Sequence, residues 1–382
     1  MLKNFWYACE FSTAVTTKPK QVRILNQKLV FYRNAKGQLI ALQDRCPHRG
    51  AALSLGWVKD DCIHCPYHAW KFQADGKCIN IPANQPGIPI PKNARVDSYP
   101  IQEKYGFIWL FYGDLPEEER PPIPPLPEFE DPRLQKIFFE YELNAHYTRT
   151  LENDMDMSHV SIIHSKSFGN GFALEQKMED YELNIGEWEG HAKVNVRDYT
   201  KAKDIFAFVF RPLKANVKVT LGFYMPNITR LVVDFGRGKL VNFTVHVPID
   251  DRTTITKRIQ FRSFLTFPWA DGIFQRAAYK VVMEDKGVVE SEYPMAVPDK
   301  LSDEVHVPCD NLSLAYRKLR QKCLAMGWGM KPYQNQSNNS NGNLIQPSPQ
   351  KQGRRQVVTE RSRSEAEGEG RREEDLTYFF HP

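Results

Sequence analysis

Two short arms constrain this chain more than any other feature. Cys46-Pro47-His48-Arg49-Gly50 and Cys65-Pro66-Tyr67-His68 each set a thiol close to an imidazole, with sixteen residues between His48 and Cys65. The proline after each cysteine fixes φ and removes a backbone donor, which suits a tight loop on a β-scaffold. Gly50 gives the first loop a residue free to take positive φ. Two thiolates and two imidazoles hold either a tetrahedral zinc ion or a [2Fe–2S] centre in which the cysteines bind one iron and the histidines the other. Cys62-Ile63-His64-Cys65 offers zinc a rival choice of ligands. The flanks, however, read as β-structure, where a zinc finger would follow its second ligand pair with a helix. The expectation is a [2Fe–2S] cluster on Cys46, His48, Cys65 and His68, with Cys62 and His64 as bystanders.

A chain of 382 residues can build two domains or one large one. The formal net charge of +5 is small and dispersed, so composition gives no reason to expect nucleic acid. Of seven cysteines two belong to the arms; Cys9, Cys62, Cys78, Cys309 and Cys323 are scattered and read as free thiols in a reducing compartment. Met1 to Tyr7 lacks the apolar core of a signal peptide, and no apolar run reaches membrane-spanning length. These features predict a cytoplasmic protein without a membrane span.

Strand-like runs flank the arms from Val22 to Tyr112 and predict a small β-sandwich over residues 1–115. Residues 116–133 are rich in proline and acidic side chains and read as a linker. Residues 134–331 alternate β-runs, among them Phe206 to Phe210, with two helical segments at about His146–Ile163 and Asp271–Tyr293. That order predicts an α+β domain with an antiparallel sheet. From 332 to 382, Gln, Asn, Ser and Gly give way to Arg and Glu, a composition that predicts a disordered tail.

The first helical segment carries a second constellation. On a continuous helix, positions 151, 155, 159 and 162 share a face, so His159 would sit in an apolar stripe with Asp156 one turn before it. His164 falls just past the expected helix end. In the later segment Asp285 lies on the stripe formed by Ile273, Phe274, Ala277, Ala278, Val281, Val282, Val288 and Val289. A carboxylate buried there needs a partner, and a metal is one. Two histidines and a carboxylate with open positions suit non-haem Fe(II). Glu284 points about 100° away around the helix and is the weaker candidate.

The arms, C-P-H-R-G with C-P-Y-H-x-W, closely resemble the signature of Rieske proteins. The one departure is Ala69, where that family usually has glycine; an alanine fits if its φ is negative. Asn153, Asp156, His159 and His164 match the pattern Asn/Glu-x-x-Asp-x-x-His-x4-His, and Asp285 matches the late acidic ligand. Over residues 1 to about 330 the chain is therefore similar to the oxygenase α-subunit of the Rieske non-haem iron oxygenases. In length it resembles the small α-only members of the vanillate O-demethylase and dicamba-demethylase kinds. Glu304 to Pro308 and Ala315-Tyr316-Arg317 look similar to oxygenases of cyanobacterial guanidinium alkaloids.

The resemblance implies a helix-grip catalytic domain holding one mononuclear Fe(II) on His159, His164 and Asp285, with Asp156 and Asn153 as catalytic neighbours. It implies a head-to-tail homotrimer without a β-subunit, in which Asp156 bridges His159 to His68 of the next subunit. It also implies O2 as co-substrate and a ferredoxin or flavin reductase as electron donor, NAD(P)H being used only through that reductase. The substrate would be a small aromatic or alkaloid-like molecule that is hydroxylated, dihydroxylated or O/N-dealkylated. A Rieske electron carrier without oxygenase activity, or a helix-grip binding module, are the other readings. The paired histidines and Asp285 argue against both.

Overall fold

The computed structural model describes residues 1–168, 181–196 and 217–330. The Phe206–Phe210 run and the tail from 332 onward lie outside the described residues. The described chain belongs to one compact unit, Met1–Tyr333.

Ten strands precede residue 115: β1 (Phe5–Phe11), β2 (Lys20–Ile24), β3 (Gln27–Arg33), β4 (Leu39–Gln43), β5 (Trp57–Lys59), β6 (Cys62–His64), β7 (Lys71–Phe72), β8 (Cys78–Asn80), β9 (Ile101–Lys104) and β10 (Phe107–Tyr112). They form three small antiparallel sheets, ordered β1-β10-β9, β2-β3-β4 and β5-β6-β7-β8. Two-residue turns with both residues at positive φ close three hairpins: Leu25-Asn26, Asp60-Asp61 and Tyr105-Gly106. Such turns match the right-handed twist of the strands they join. Val30, Tyr32, Leu42, Leu53, Ile63 and Phe72 make a buried cluster that includes Cys46 and Cys65. The two cysteines are thus rooted in a packed core rather than set on mobile surface loops.

The second sheet is antiparallel and seven-stranded: β11 (Gln135–Leu143), β12 (Glu182–Ile185), β13 (Glu189–Val196), β14 (Val217–Tyr224), β15 (Ile228–Asp234), β16 (Lys239–Pro248) and β17 (Thr254–Arg262), in the order β11-β17-β16-β15-β14-β13-β12. Its helices among the described residues are α1 (Tyr147–Met155), α2 (Val160–Ile163), α3 (Ser165–Phe168), α4 (Asp271–Val289) and α5 (Asn311–Ala325). In β11 the alternation is plain: Ile137, Phe139, Tyr141 and Leu143 are buried against Phe274, Val282 and Val289 of α4, while Phe138, Glu140 and Glu142 face out. In β16 both faces are buried. Val241, Phe243, Val245 and Val247 join one continuous core with Phe5, Trp6 and Phe107 to Phe111 of the first sheets. The opposite face carries Asn242, Thr244 and His246, and across from it on β17 Thr256, Arg258 and Gln260; all six are buried polar groups.

The helices depart from the sequence reading in three ways. The expected helix over 146–163 is broken: the backbone leaves it at Asp156 (φ −87°, ψ 131°) and resumes at Val160. The Asp156 carboxylate accepts from the Ser158 amide and hydroxyl, both at 2.7 Å, and this local turn competes with helical bonding. Helix α4 ends at Val289, four residues before the expected Tyr293. Helix α5 was not anticipated, although Leu312, Ala315, Tyr316, Leu319 and Cys323 have helical apolar spacing and pack into the core. At the start of α1, His146 caps the helix by accepting from the Thr148 amide at 3.4 Å. Burial first, then nearby positive charge, lowers its pKa to about 3, so the ring stays a neutral acceptor.

Candidate functional site

The two arms fold into the same turn. In the first, Gly50 N donates to Cys46 O at 2.9 Å and Cys46 N to Ala51 O at 2.8 Å. In the second, Ala69 N donates to Cys65 O at 3.0 Å and Cys65 N to Trp70 O at 2.9 Å. Gly50 and Ala69 hold equivalent positions, at φ +76° and +54°. The expectation of a negative φ at Ala69 is therefore corrected: the turn itself requires the left-handed region, and Ala69 occupies it despite its Cβ. Buried Asp44 fixes the approach to Cys46 by accepting from Ser54 N, Ser54 Oγ and Gln21 Nε2 at 2.6–2.7 Å.

The four expected ligands converge at one end of this scaffold. Cys46 and Cys65 are buried in the same cluster, and the His48 and His68 rings lie 4.7 Å apart. Trp70 stacks on His48 at 4.7 Å and 7°, and Tyr67 packs on His68 at 4.0 Å. His48 Nδ1 is buried without a hydrogen-bond partner. Burial, followed by the neighbouring Cys65, pushes the Cys46 thiol up to about 11, so a proton stays there until a metal displaces it. A pair of sulfurs, a pair of imidazoles and an orphaned ring nitrogen fit a [2Fe–2S] cluster. Cys62 and His64 lie instead on β6, where His64 stacks on Trp57 at 5.2 Å.

The second constellation assembles from three elements. His159 stands between α1 and α2, His164 caps the C-terminus of α2, and Asp285 lies on α4. One ligand atom from each falls within 4.8 Å of the others. Asp285 Oδ1 is 3.2 Å from His164 Nε2 and 3.6 Å from His159 Nε2, yet it is buried without a properly directed hydrogen bond. Both rings turn their Nδ1 away toward carboxylates: His159 toward Asp156 Oδ2 at 3.3 Å and His164 toward Glu284 Oε2 at 3.1 Å. Ser167 Oγ in turn donates to Glu284 Oε1 at 2.8 Å. Carboxylates that hold the outer nitrogen fix the tautomer and leave Nε2 free to bind a metal.

The charges agree with that geometry. Burial opposes a positive charge on His164, but Asp285 and Glu284 outweigh it and hold the ring above the ordinary imidazole range. Burial likewise pushes Asp156 up, and hydrogen bonds from His159 and Ser158 overcome it and hold the acid below the ordinary carboxylate range. The point where the three donors meet is thus built for a cation, and the donor set fits a divalent iron. Glu284, the weaker candidate by helix angle, holds the His164 ring; nothing local in the sequence marks that role, because it depends on where α3 and α4 meet.

These donors border a cavity of about 340 Å³ between the sheet and α4. Val219, Leu221, Leu231 and Val233 line its sheet side, and Ala277, Ala278 and Val281 its helix side. Asn153, the remaining expected site residue, lines it too, as does Asp156. Asp154 lines the same wall and is bound by Arg258 Nη2, 3.0 Å from both carboxylate oxygens.

Known proteins share this organisation. The Rieske [2Fe-2S] domain family matches residues 5–100, and the vanillate O-demethylase oxygenase C-terminal domain family matches residues 143–326. Methylxanthine N1-demethylase NdmA of Pseudomonas putida is 31% identical over 334 residues, covering 83% of this chain and 88% of its own. The solved structure of Pseudomonas putida CBB5 NdmA with caffeine superposes with a TM-score of 0.73 at 28% identity, over 85% of this chain and 92% of that one. Dicamba monooxygenase bound to dicamba shares the fold, with a TM-score of 0.72 at 21% identity over 86% of this chain and 99% of that one. With both domains matched in order along one chain, this protein is a member of the Rieske non-haem iron oxygenases.

Proposed function

We propose that this Rieske oxygenase holds its cluster on Cys46, His48, Cys65 and His68 and one Fe(II) on His159, His164 and Asp285, and oxidises a small planar aromatic or alkaloid-like molecule. The observation that carries the reading is the convergence of one ligand atom each from His159, His164 and Asp285, all within 4.8 Å of one another, at the wall of an apolar cavity. When bound, the cluster would supply single electrons and the iron would activate O2. The chain's own part is to orient and exclude. Asp156 and Glu284 hold the two rings by Nδ1, and the apolar walls keep water from the reacting atoms. Asn153 and Asp156 face the substrate space from the segment that carries His159.

The named activity of the relative, demethylation of a methylxanthine, makes N- or O-demethylation of a heterocycle the favoured outcome within hydroxylation, dihydroxylation and dealkylation. Electrons come from a ferredoxin or flavin reductase, with NAD(P)H used only there. The working unit is a homotrimer without a β-subunit, in which Asp156 links His159 to His68 of a neighbouring copy, and it acts in the cytoplasm. No described helix is long and apolar enough to cross a membrane. The functional division is residues 1–115 for the cluster, 116–133 as connector and 134–331 for catalysis, with 332–382 dispensable.

Metal content tests the proposal. An oxygenase carries three irons per chain and consumes O2 when substrate and reductase are present. A pure electron carrier carries two irons and consumes none.

A further inference from the structure

The polar face of β16 and β17 brings a buried cation to the cavity. Arg258 pairs with Thr244 in the β16–β17 register and lines the cavity together with Asp154. Its side chain is 8% exposed. Three groups hold the guanidinium. Nε donates to Thr244 Oγ1 at 2.9 Å, and Nη2 donates to both oxygens of Asp154 at 3.0 Å and to the Tyr141 hydroxyl at 3.3 Å. Nη1 donates no hydrogen bond among the described residues and, unlike Nη1 of Arg262, is not sealed from the surface. Gln260, next on the same face, offers a ligand no acceptor, because its Oε1 is sealed. Arginine stays charged and carries only donors, so Arg258 Nη1 can do nothing but donate. A fixed donor at the wall of a mostly apolar cavity is satisfied by water or by an acceptor on a ligand.

We propose that Arg258 is the specificity-determining residue of the cavity. Its Nη1 donates to an sp2 oxygen of a planar substrate, a carboxylate or a ring carbonyl, and so fixes which edge of the ring turns toward His159, His164 and Asp285. The inference rests on the oxygenase reading above and narrows it to substrates that carry such an acceptor. Asp154 balances the Arg258 charge, so the donor serves a neutral carbonyl as well as a carboxylate. Lys280 of α4 is exposed on the cavity lining, without an ion pair among the described residues, and supplies further positive charge to a carboxylate.

The test uses the iron-loaded holoenzyme under anaerobic conditions, with binding read from changes in the EPR signal of its nitric oxide adduct. Two matched pairs serve as probes: 4-methoxybenzoate against 4-methoxytoluene, and 7-methoxycoumarin against 2-methoxynaphthalene. The member with the acceptor oxygen is expected to bind about ten- to hundred-fold more tightly than its partner in at least one pair. A preference in the first pair alone identifies a carboxylate, in the second alone a ring carbonyl, and in both any sp2 oxygen. Arg258→Met should abolish the preference. Because that change leaves Asp154 without its partner, Arg258→Met is also combined with Asp154→Leu, which removes the ion pair whole and should abolish the preference equally. Lys280→Gln should weaken the benzoate and leave the coumarin unchanged. No preference in either pair with the iron site loaded overturns the proposal. So does a preference that survives in a folded Arg258 variant, or one that Lys280→Gln alone removes. Absence of any nitric oxide signal from wild-type protein would instead count against the oxygenase reading itself, and the two failures are therefore distinct.

Discussion

Glu284 and Asp285 are neighbours on one helix with sharply different expected roles, and replacing Glu284 tests that difference. The His164 side chain is 4% exposed, and its Nδ1 faces Glu284 Oε2 at 3.1 Å. Carboxylates that hold the outer nitrogen of a metal-binding histidine contribute about ten- to hundred-fold to metal affinity, or about 1.4–2.7 kcal/mol. Glu284→Gln keeps an acceptor for the ring and a partner for Ser167 but loses the charge, so it should sit near the ten-fold end. Glu284→Ala leaves a buried ring nitrogen without this partner and should approach a hundred-fold. Competition for Fe(II) with a chromogenic chelator under anaerobic conditions measures this, with cluster absorbance as the internal standard for folded chain. Affinity should also fall as the pH is lowered, because the metal must displace a proton that Asp285 and Glu284 hold on His164. Wild-type affinity in both variants would refute the reasoning. So would a complete loss of iron in Glu284→Gln at saturating Fe(II), which would make Glu284 a ligand.

Three further outcomes follow from particular contacts. Ala69→Gly should raise stability by up to about 1 kcal/mol, since the left-handed penalty on alanine exceeds the added flexibility of glycine; a lower melting temperature would contradict the turn analysis. Glu292, pushed up to about 7 by burial and by Glu152 and Glu304 against the pull of Arg149, is raised above its unfolded value. Its contribution is therefore full below about pH 4.5 and lost as pH rises toward 7, about 2 kcal/mol after allowance for partial exposure. Glu292→Gln should flatten urea-unfolding stability over that window, and an unchanged slope would contradict the assignment. Asp156→Asn should leave both metals bound while reoxidation of the reduced cluster slows sharply in single-turnover experiments; a wild-type rate would confine Asp156 to holding His159.

What could be read in the sequence follows from how local each signal is. The cluster arms are legible because each sets its two ligands and its proline within four consecutive residues. The structure adds that the arms are one turn used twice, which makes Ala69 the counterpart of Gly50 and explains its positive φ. Asp285 is legible because a carboxylate in an apolar stripe is costly without a partner. His159 and Asp156 come together as the sequence suggests, but through a broken helix and an aspartate turn instead of one continuous face. The role of Glu284 is not legible, because it depends on which elements meet at that side of the helix, and helix periodicity carries no record of that.

We propose that one chain holds two separate iron sites of unlike chemistry, and the metal content and EPR of Asp285→Ala separate them. Two irons per chain, an intact reduced-cluster signal and no nitric oxide adduct are predicted, against three irons and an adduct in wild type. A third iron at full occupancy in the variant would rule out Asp285 as a ligand.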